Sequence, residues 1–219
     1  MNILELFCGT KSFTKVAEAR GHECRTLDNE PKFEPTYCMD IMDFKPAILG
    51  DWKPDVIWAS PPCERFSVAS MGKSWRGIWH IRRRTYQPMN LATGTAVSHV
   101  IRTLELIKEI APPYWFIENP RANLRKMPFM PNGQTLHTAW YCQYEEMTPP
   151  KLPRAKPTDI WTNLTNWNPK TCHNGSKDHE EARRGAKTGT QGRHGAIERS
   201  IIPSRLCEEI IIACEKAIV

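Results

Sequence analysis

The sequence has no run of about eighteen apolar residues, so nothing in it is expected to span a membrane. Its opening stretch, Asn2-Ile3-Leu4-Glu5-Leu6-Phe7, is too short and carries an acid, which excludes a secretory signal there. No internal repeat is visible, which argues against a solenoid or propeller. A disulfide framework is also missing. The 8 cysteines are scattered rather than regularly spaced, as expected of free thiols in a reduced, cytoplasmic compartment. No zinc-finger spacing occurs either. Cys172, His173 and His179 carry ligand atoms, but no fourth ligand is evident, and a polar loop without a metal is expected there.

What the chain does have is length, charge and proline. Its 219 residues suffice for one substantial domain, or a domain with a small appendage. The net charge of +6 suits a polyanionic partner. The 18 prolines predict long ordered loops.

One stretch stands out. Asp55-Val56-Ile57 opens a buried strand that runs into Trp58-Ala59-Ser60-Pro61-Pro62-Cys63-Glu64-Arg65-Phe66-Ser67. Two prolines stop the strand and stiffen the chain, because each fixes its φ and lacks a donor. Cys63 follows at once, a thiol on a rigid turn. In an open α/β sheet the carboxyl ends of strands are where ligands bind. Cys63 therefore reads as a nucleophile, against the ordinary fate of a free cysteine as a small buried apolar residue.

Upstream, Asn2 to Phe7 reads as a strand, Phe13 to Arg20 as a helix closed by Gly21, and Glu23 to Leu27 as a second strand ending in Asp28-Asn29-Glu30. Strand, tight turn, helix, strand and acid is the order of a nucleotide-binding unit. Gly9 would let the backbone approach a ligand, and Asp28 would accept hydrogen bonds from ribose hydroxyls. An ordinary βα turn would look similar. Asp40, at the end of a short strand over residues 37–41, reads either as part of the same sheet edge or as a turn acid.

Downstream, residues 67–87 are expected to form a long mobile loop. Lys73, Arg76, Arg82, Arg83 and Arg84 alternate there with Trp75, Trp79 and Tyr86, a pattern that suits phosphates and bases. A helix is predicted over Asn90 to Glu109, with Val97, Ile101, Leu104, Ile107 and Ile110 at helical spacing. Tyr114 to Ile117 reads as a central strand that ends in Glu118-Asn119-Pro120. A carboxyl placed there is partly desolvated, which raises its pKa. Thr138 to Tyr144 and Asp159 to Thr162 read as strands of a hairpin, residues 166–199 as loops, and Pro203 to Val219 as a final helix.

These motifs together resemble the C5-cytosine-specific DNA methyltransferase family, in order and over most of the chain. Leu4-Glu5-Leu6-Phe7-Cys8-Gly9 is similar to its cofactor motif and Ser60-Pro61-Pro62-Cys63 to its nucleophile motif. Glu118-Asn119-Pro120 is similar to its glutamate motif, and Ile202-Pro203 to its closing motif. The resemblance implies an α/β fold, a Rossmann-like S-adenosylmethionine-dependent methyltransferase sheet with helices on both faces. It implies a catalytic unit over residues 1–165 and 200–219, with 166–199 as a short, loop-rich, reduced target-recognition region. Small proteins of this kind resemble phage-encoded members.

The same resemblance implies the chemistry. Cys63 would add to C6 of a flipped-out cytosine, Glu118 would engage N3, and Arg154 or Lys156 would face O2. S-adenosylmethionine would meet Phe7, Gly9, Thr10, Asp28, Asp40, Ile41, Ser60 and Pro61. Lys73, Arg76, Arg82, Arg83 and Arg84 would hold double-stranded DNA, and the protein would work in the cytoplasm of a bacterium or phage-infected host. Two departures are visible: Lys11 and Ser12 replace the family's glycines after Gly9, and Pro153-Arg154-Ala155-Lys156-Pro157 replaces its glutamine-and-arginine motif. The alternatives are an RNA (tRNA) methyltransferase with the same chemistry, and a catalytically silent DNA-binding homologue.

Overall fold

The computed structural model describes residues 1–80, 83–131, 135–145, 153, 155–173, 175–177, 179 and 195–218. The sheet comes first in chain order: β1 (Asn2–Leu6), β2 (Glu23–Asp28), β3 (Tyr37–Cys38) and β4 (Val56–Ala59). A hairpin, β5 (Trp75–His80) and β6 (Arg83–Pro88), follows, and then β7 (Tyr114–Pro120), β8 (Leu136–Trp140) and β9 (Pro157–Thr162). The helices are α1 (Ser12–Ala19), the short α2 (Met71–Ser74), α3 (Leu91–Ile110), the short α4 (Ala196–Ser200) and α5 (Ser204–Ile218).

Seven strands form one sheet in the order β3-β2-β1-β4-β7-β9-β8. β1, β2, β3, β4 and β7 pair in parallel, whereas β9 runs antiparallel to both β7 and β8. Because both faces are covered, β4 carries an unbroken apolar run: Val56, Ile57, Trp58 and Ala59 are all buried. Alternate residues serve opposite cores. Leu4, Leu6, Ile57, Ala59 and Ile117 pack with Val100 and Leu106 of α3. Ile3, Val56, Trp58 and Phe116 pack with Phe13 of α1 and with Leu206, Ile210 and Ile211 of α5. Each such aliphatic side chain contributes roughly 1.5–3 kcal/mol by its burial. The expected Rossmann-like sheet with helices on both faces is therefore present.

α3 starts at Asn90, whose Oδ1 accepts from Thr93 N at 2.9 Å, and ends at Ala111 in the left-handed region, just before two prolines. Its buried stripe runs through Thr93, Ala96, Val100, Thr103 and Ile107. Ile101, expected in that stripe, is 38% exposed.

The segment expected as a mobile loop is a folded appendage. β5 and β6 pair antiparallel from Trp75↔Pro88 to His80↔Arg83. Trp75 is buried, packs against Phe66 with ring centroids 5.6 Å apart, and donates Nε1 to the Arg65 carbonyl. It is a core side chain, not a base-stacking surface.

Candidate active site

β4 and β7 lie side by side, with Ala59 paired to Ile117, so Ser60-Pro61-Pro62-Cys63 and Glu118-Asn119-Pro120 leave the sheet at the same edge. The two turns are bonded to each other. Asn119 Nδ2 donates to the Pro61 carbonyl at 3.0 Å. Cys63 sits at φ −92°, ψ −10°, opening the turn Glu64–Phe66. The prolines hold the sulfur from one side and β7 holds the turn from the other.

Glu118 is buried and receives two hydroxyls. Tyr141 donates its phenol to Oε1 at 3.0 Å. Trp58 Nε1 donates to Ser60 Oγ at 3.0 Å, which leaves the Ser60 proton for Glu118. Burial pushes the Glu118 carboxyl above the usual carboxylate range, while Lys156, Tyr141 and Ser60 pull it back. The Cys63 thiol is likewise pushed up, first by burial and then by the Glu118 charge, with Lys156 opposing. Thiol, carboxyl and ammonium thus sense one another.

Lys156 is buried, donates Nζ to the Arg199 carbonyl at 2.8 Å, and lies 4.4 Å from the centre of the Tyr141 ring. Arg154, the other expected cation, lies outside the described residues. Behind the site Arg125 makes a two-pronged bond to buried Asp159, through Nε at 2.7 Å and Nη2 at 2.5 Å. Asp159 pairs with Asn119 in the β7–β9 register, so this ion pair anchors the strand that supports the glutamate turn.

The residues expected to meet a cofactor lie mostly at the neighbouring strand ends. Between β1 and α1 the chain turns through Phe7, Gly9 and Lys11, with φ of 56°, 46° and 56°. Gly9 N donates to Asp28 Oδ2 at 2.9 Å, and Glu30 N to Asp28 Oδ1 at 2.9 Å. Asp28 is thus oriented by two backbone amides, one on each carboxylate oxygen. Asn29 beside it lines a small hollow with Phe7, Asp40, Ile41, Pro62 and His99. A larger cleft of about 480 Å³ opens at the start of α1, lined by Thr10, Ser12, Lys15, Tyr144, Ile202 and Arg205. Of the expected cofactor contacts, Phe7, Asp40 and Ile41 line the hollow and Thr10 the cleft. Gly9, Asp28, Ser60 and Pro61 line neither; Ser60 bonds to Glu118, and the Pro61 carbonyl accepts from Asn119.

Of the expected DNA contacts, Lys73 and Arg76 are exposed on α2 and β5. Arg83 and Arg84 belong to β6, and Arg82 lies outside the described residues. Three contributors carried no recognisable signal in the sequence: Tyr141 on Glu118, Arg125 on Asp159, and the Lys15–Arg205 walls of the cleft. Asn119 was visible as part of a motif, but its bond to Pro61 was not. Among the described residues no helix is long and apolar enough to cross a membrane.

The chain is 29% identical over 182 residues to a "probable DNA (cytosine-5)-methyltransferase" of Frog virus 3 (isolate Goorha), covering 78% of this chain and 75% of that one. Two solved structures are similar at 13% identity. The S. pombe Dnmt2 methyltransferase matches with a TM-score of 0.42, over 74% of this chain and 48% of its own. The Entamoeba histolytica methyltransferase EhMeth matches with a TM-score of 0.46, over 81% and 57%. The chain spans about half the length of these solved relatives. No family model matches it.

Proposed function

We propose, from its similarity to a probable DNA (cytosine-5)-methyltransferase, that this chain is an enzyme that methylates C5 of cytosine in DNA, with S-adenosylmethionine as donor. The observation that carries the reading is the bonded pair of turns, with Asn119 on Pro61 and with Cys63 and Glu118 at one sheet edge. A thiol, a carboxyl of raised pKa and a buried ammonium that sense one another match what attack on a cytosine ring requires.

Cytosine C5 is a weak nucleophile until a group adds at C6. The Cys63 thiolate forms the bond to C6, and the electron pair of the C5–C6 double bond becomes available at C5. Glu118, whose carboxyl burial pushes above the usual range, donates to N3 in its protonated form and withdraws charge as the sulfur attacks. Lys156 stabilises negative charge toward O2 and favours the thiolate. When bound, S-adenosylmethionine would supply an electrophilic methyl group; the electron pair at C5 would bond to it, and the pair of the broken sulfur–methyl bond would stay on the departing thioether. A base then removes the C5 proton, the electron pair re-forms the C5–C6 double bond, and Cys63 leaves as thiolate. The target base must be out of the duplex to meet these groups.

The cofactor fits the crevice at the ends of β1, β2 and β3. Thr10 and Ser12 offer hydroxyls to a carboxylate in the large cleft. Phe7, Asn29, Asp40 and Ile41 offer an apolar and hydrogen-bonding seat for a nucleoside. Residues 1–165 with 200–219 form the catalytic unit in this reading, and 166–199 a short target-recognition region, of which 180–194 lies outside the described residues. Lys73 and Arg76 supply phosphate contacts beside the site.

The test is transfer of label from S-adenosylmethionine to duplex DNA, with tRNA in a parallel arm. Label in DNA that disappears with Cys63→Ser supports the proposal. A covalent adduct with DNA carrying 5-fluorocytosine, mapped to Cys63, identifies the nucleophile. Glu118→Gln is expected to retain cofactor affinity and lose rate by about 10²–10⁴-fold. Label in tRNA alone would replace the substrate. No label in either, with cofactor bound, would sink the enzymatic reading.

A further inference from the structure

Away from the catalytic edge, three soft ligand atoms converge beside the last strand turn. The short turn Tyr141–Gln143 follows β8 and carries Cys142, which is buried. The segment after β9 returns past it and brings Cys172 and His179. The ligand atoms of Cys142, Cys172 and His179 all lie within 4.8 Å of one another. Cys172 Sγ and His179 Nδ1 are 3.5 Å apart. A tetrahedral zinc with Zn–S of about 2.3 Å and Zn–N of about 2.0–2.1 Å sets that edge at about 3.6 Å. His173 is exposed and is not part of the group.

We infer that Cys142, Cys172 and His179 form a zinc site that staples the segment after β9 to the turn after β8. Two thiolates and an imidazole are the donor set that favours zinc over magnesium or calcium. Binding exchanges the two thiol protons for the metal ion, so charge balances.

Convergence sets this group apart from ordinary packing. Trp140, Cys142 and Ala155 form a small satellite core with Cys172 against it, and the Trp140 and His179 rings are stacked 6.2 Å apart. Apolar packing alone would be served by the thiols and the indole. It does not require a buried imidazole nitrogen to face a sulfur.

The described stretch from 163 to 179 contains no helix or strand. Asn163 holds its start, accepting from Trp115 N at 3.0 Å and donating to the Pro113 carbonyl at 2.8 Å, and Leu164 and Trp167 are buried. Trp167 Nε1 donates to Glu209, Lys170 O accepts from Trp140 N at 3.2 Å, and Lys170 N donates to Tyr144 Oη at 2.7 Å. Beyond Lys170, a metal supplies what burial does not. The staple lies one residue from Tyr141, the phenol that donates to Glu118. A metal at Cys142 would thus also steady a catalytic-site contact from outside the site.

The test is elemental analysis of the full-length chain, purified without chelator. One zinc per chain is expected. Cys172→Ser and His179→Gln are each expected to weaken zinc binding by about tenfold or more, while Cys24→Ser, on the far side of the sheet, keeps full occupancy. Cobalt exchanged into the wild-type protein gives a readout that does not depend on the folding of variants. Tetrahedral visible bands with a thiolate-to-cobalt charge-transfer band are expected. Substoichiometric zinc in the folded wild-type protein would overturn the assignment. So would bound cobalt without the charge-transfer band, or a Cys142–Cys172 disulfide recovered from the purified chain.

Discussion

The side-chain amide of Asn119 donates to the carbonyl oxygen of Pro61 at 3.0 Å, joining the end of β7 to the turn that carries Cys63. Asn119 is 1% exposed, so no water stands ready to replace it. The bond sets the distance between a thiol and a carboxyl that belong to different strands. Asn119 is a positioning residue in this account, since it acts through Pro61 rather than on substrate.

Asn119→Ala should therefore lower kcat by about 10²-fold, the cost of misplacing a reacting group by roughly 1 Å. Stability should fall by about 1–3 kcal/mol, because the Pro61 carbonyl loses a buried donor. Cofactor affinity should stay within error, since Asn119 lines neither the hollow nor the cleft. Steady-state kinetics with a separate cofactor-binding isotherm distinguish these quantities. An unchanged kcat, or an equal loss in cofactor affinity, would remove Asn119 from this role.

A second expectation concerns the thiol. Burial and the Glu118 charge hold Cys63 above the ordinary thiol range, and Lys156 pulls it down. Lys156→Met should shift the pH profile of Cys63 alkylation to the alkaline side. Glu118→Gln should shift it to the acid side, because it removes the repelling charge. Peptide mass mapping after alkylation isolates Cys63 from the other cysteines. Shifts of the same sign in both variants, or none, would show that Cys63 does not sense these groups.

Much of the sheet was legible because its signal is physical and local. The parallel strands are covered on both faces, so β4 and the first part of β7 show as continuous apolar runs ended by proline or polar clusters. The hairpin was hidden for the opposite reason. β5 and β6 mix aromatic residues with arginines and show no strand alternation, so the segment reads as loop until Trp75 is seen buried against Phe66. Lys11 reads as a departure from a glycine-rich turn. In the structure it takes φ 56°, ψ 43°, the left-handed conformation that glycine would adopt without cost. The turn survives the substitution and carries the strain. The contacts of Tyr141 and Cys142 were out of reach, since each joins residues more than twenty positions apart and leaves no periodic trace.

The last expectation rests on Glu5, an acid in the middle of β1. Its Oε2 accepts from Thr14 N at 2.9 Å and from the Thr14 hydroxyl, tying the first turn of α1 to the sheet. Burial pushes its carboxyl up from an ordinary 4.5 to about 7, against the lowering effect of the Thr14 bonds. The protonated form is the one folding favours, so its contribution is complete below the unfolded pKa and is lost as pH rises through the folded one. At about 1.4 kcal/mol per unit, the loss between those two values approaches a ceiling of about 3 kcal/mol. Glu5→Gln keeps an acceptor for both Thr14 donors and cannot ionise. Denaturant unfolding from about pH 4.5 to 8 should show the wild type losing stability relative to Glu5→Gln as pH rises. The two should be nearly equal at the acid end. Glu118 is also raised by burial and tilts both proteins the same way, so the difference between them isolates Glu5. Parallel stability curves across that range would mean that Glu5 is ionised in the folded protein and that the Thr14 bonds outweigh its burial.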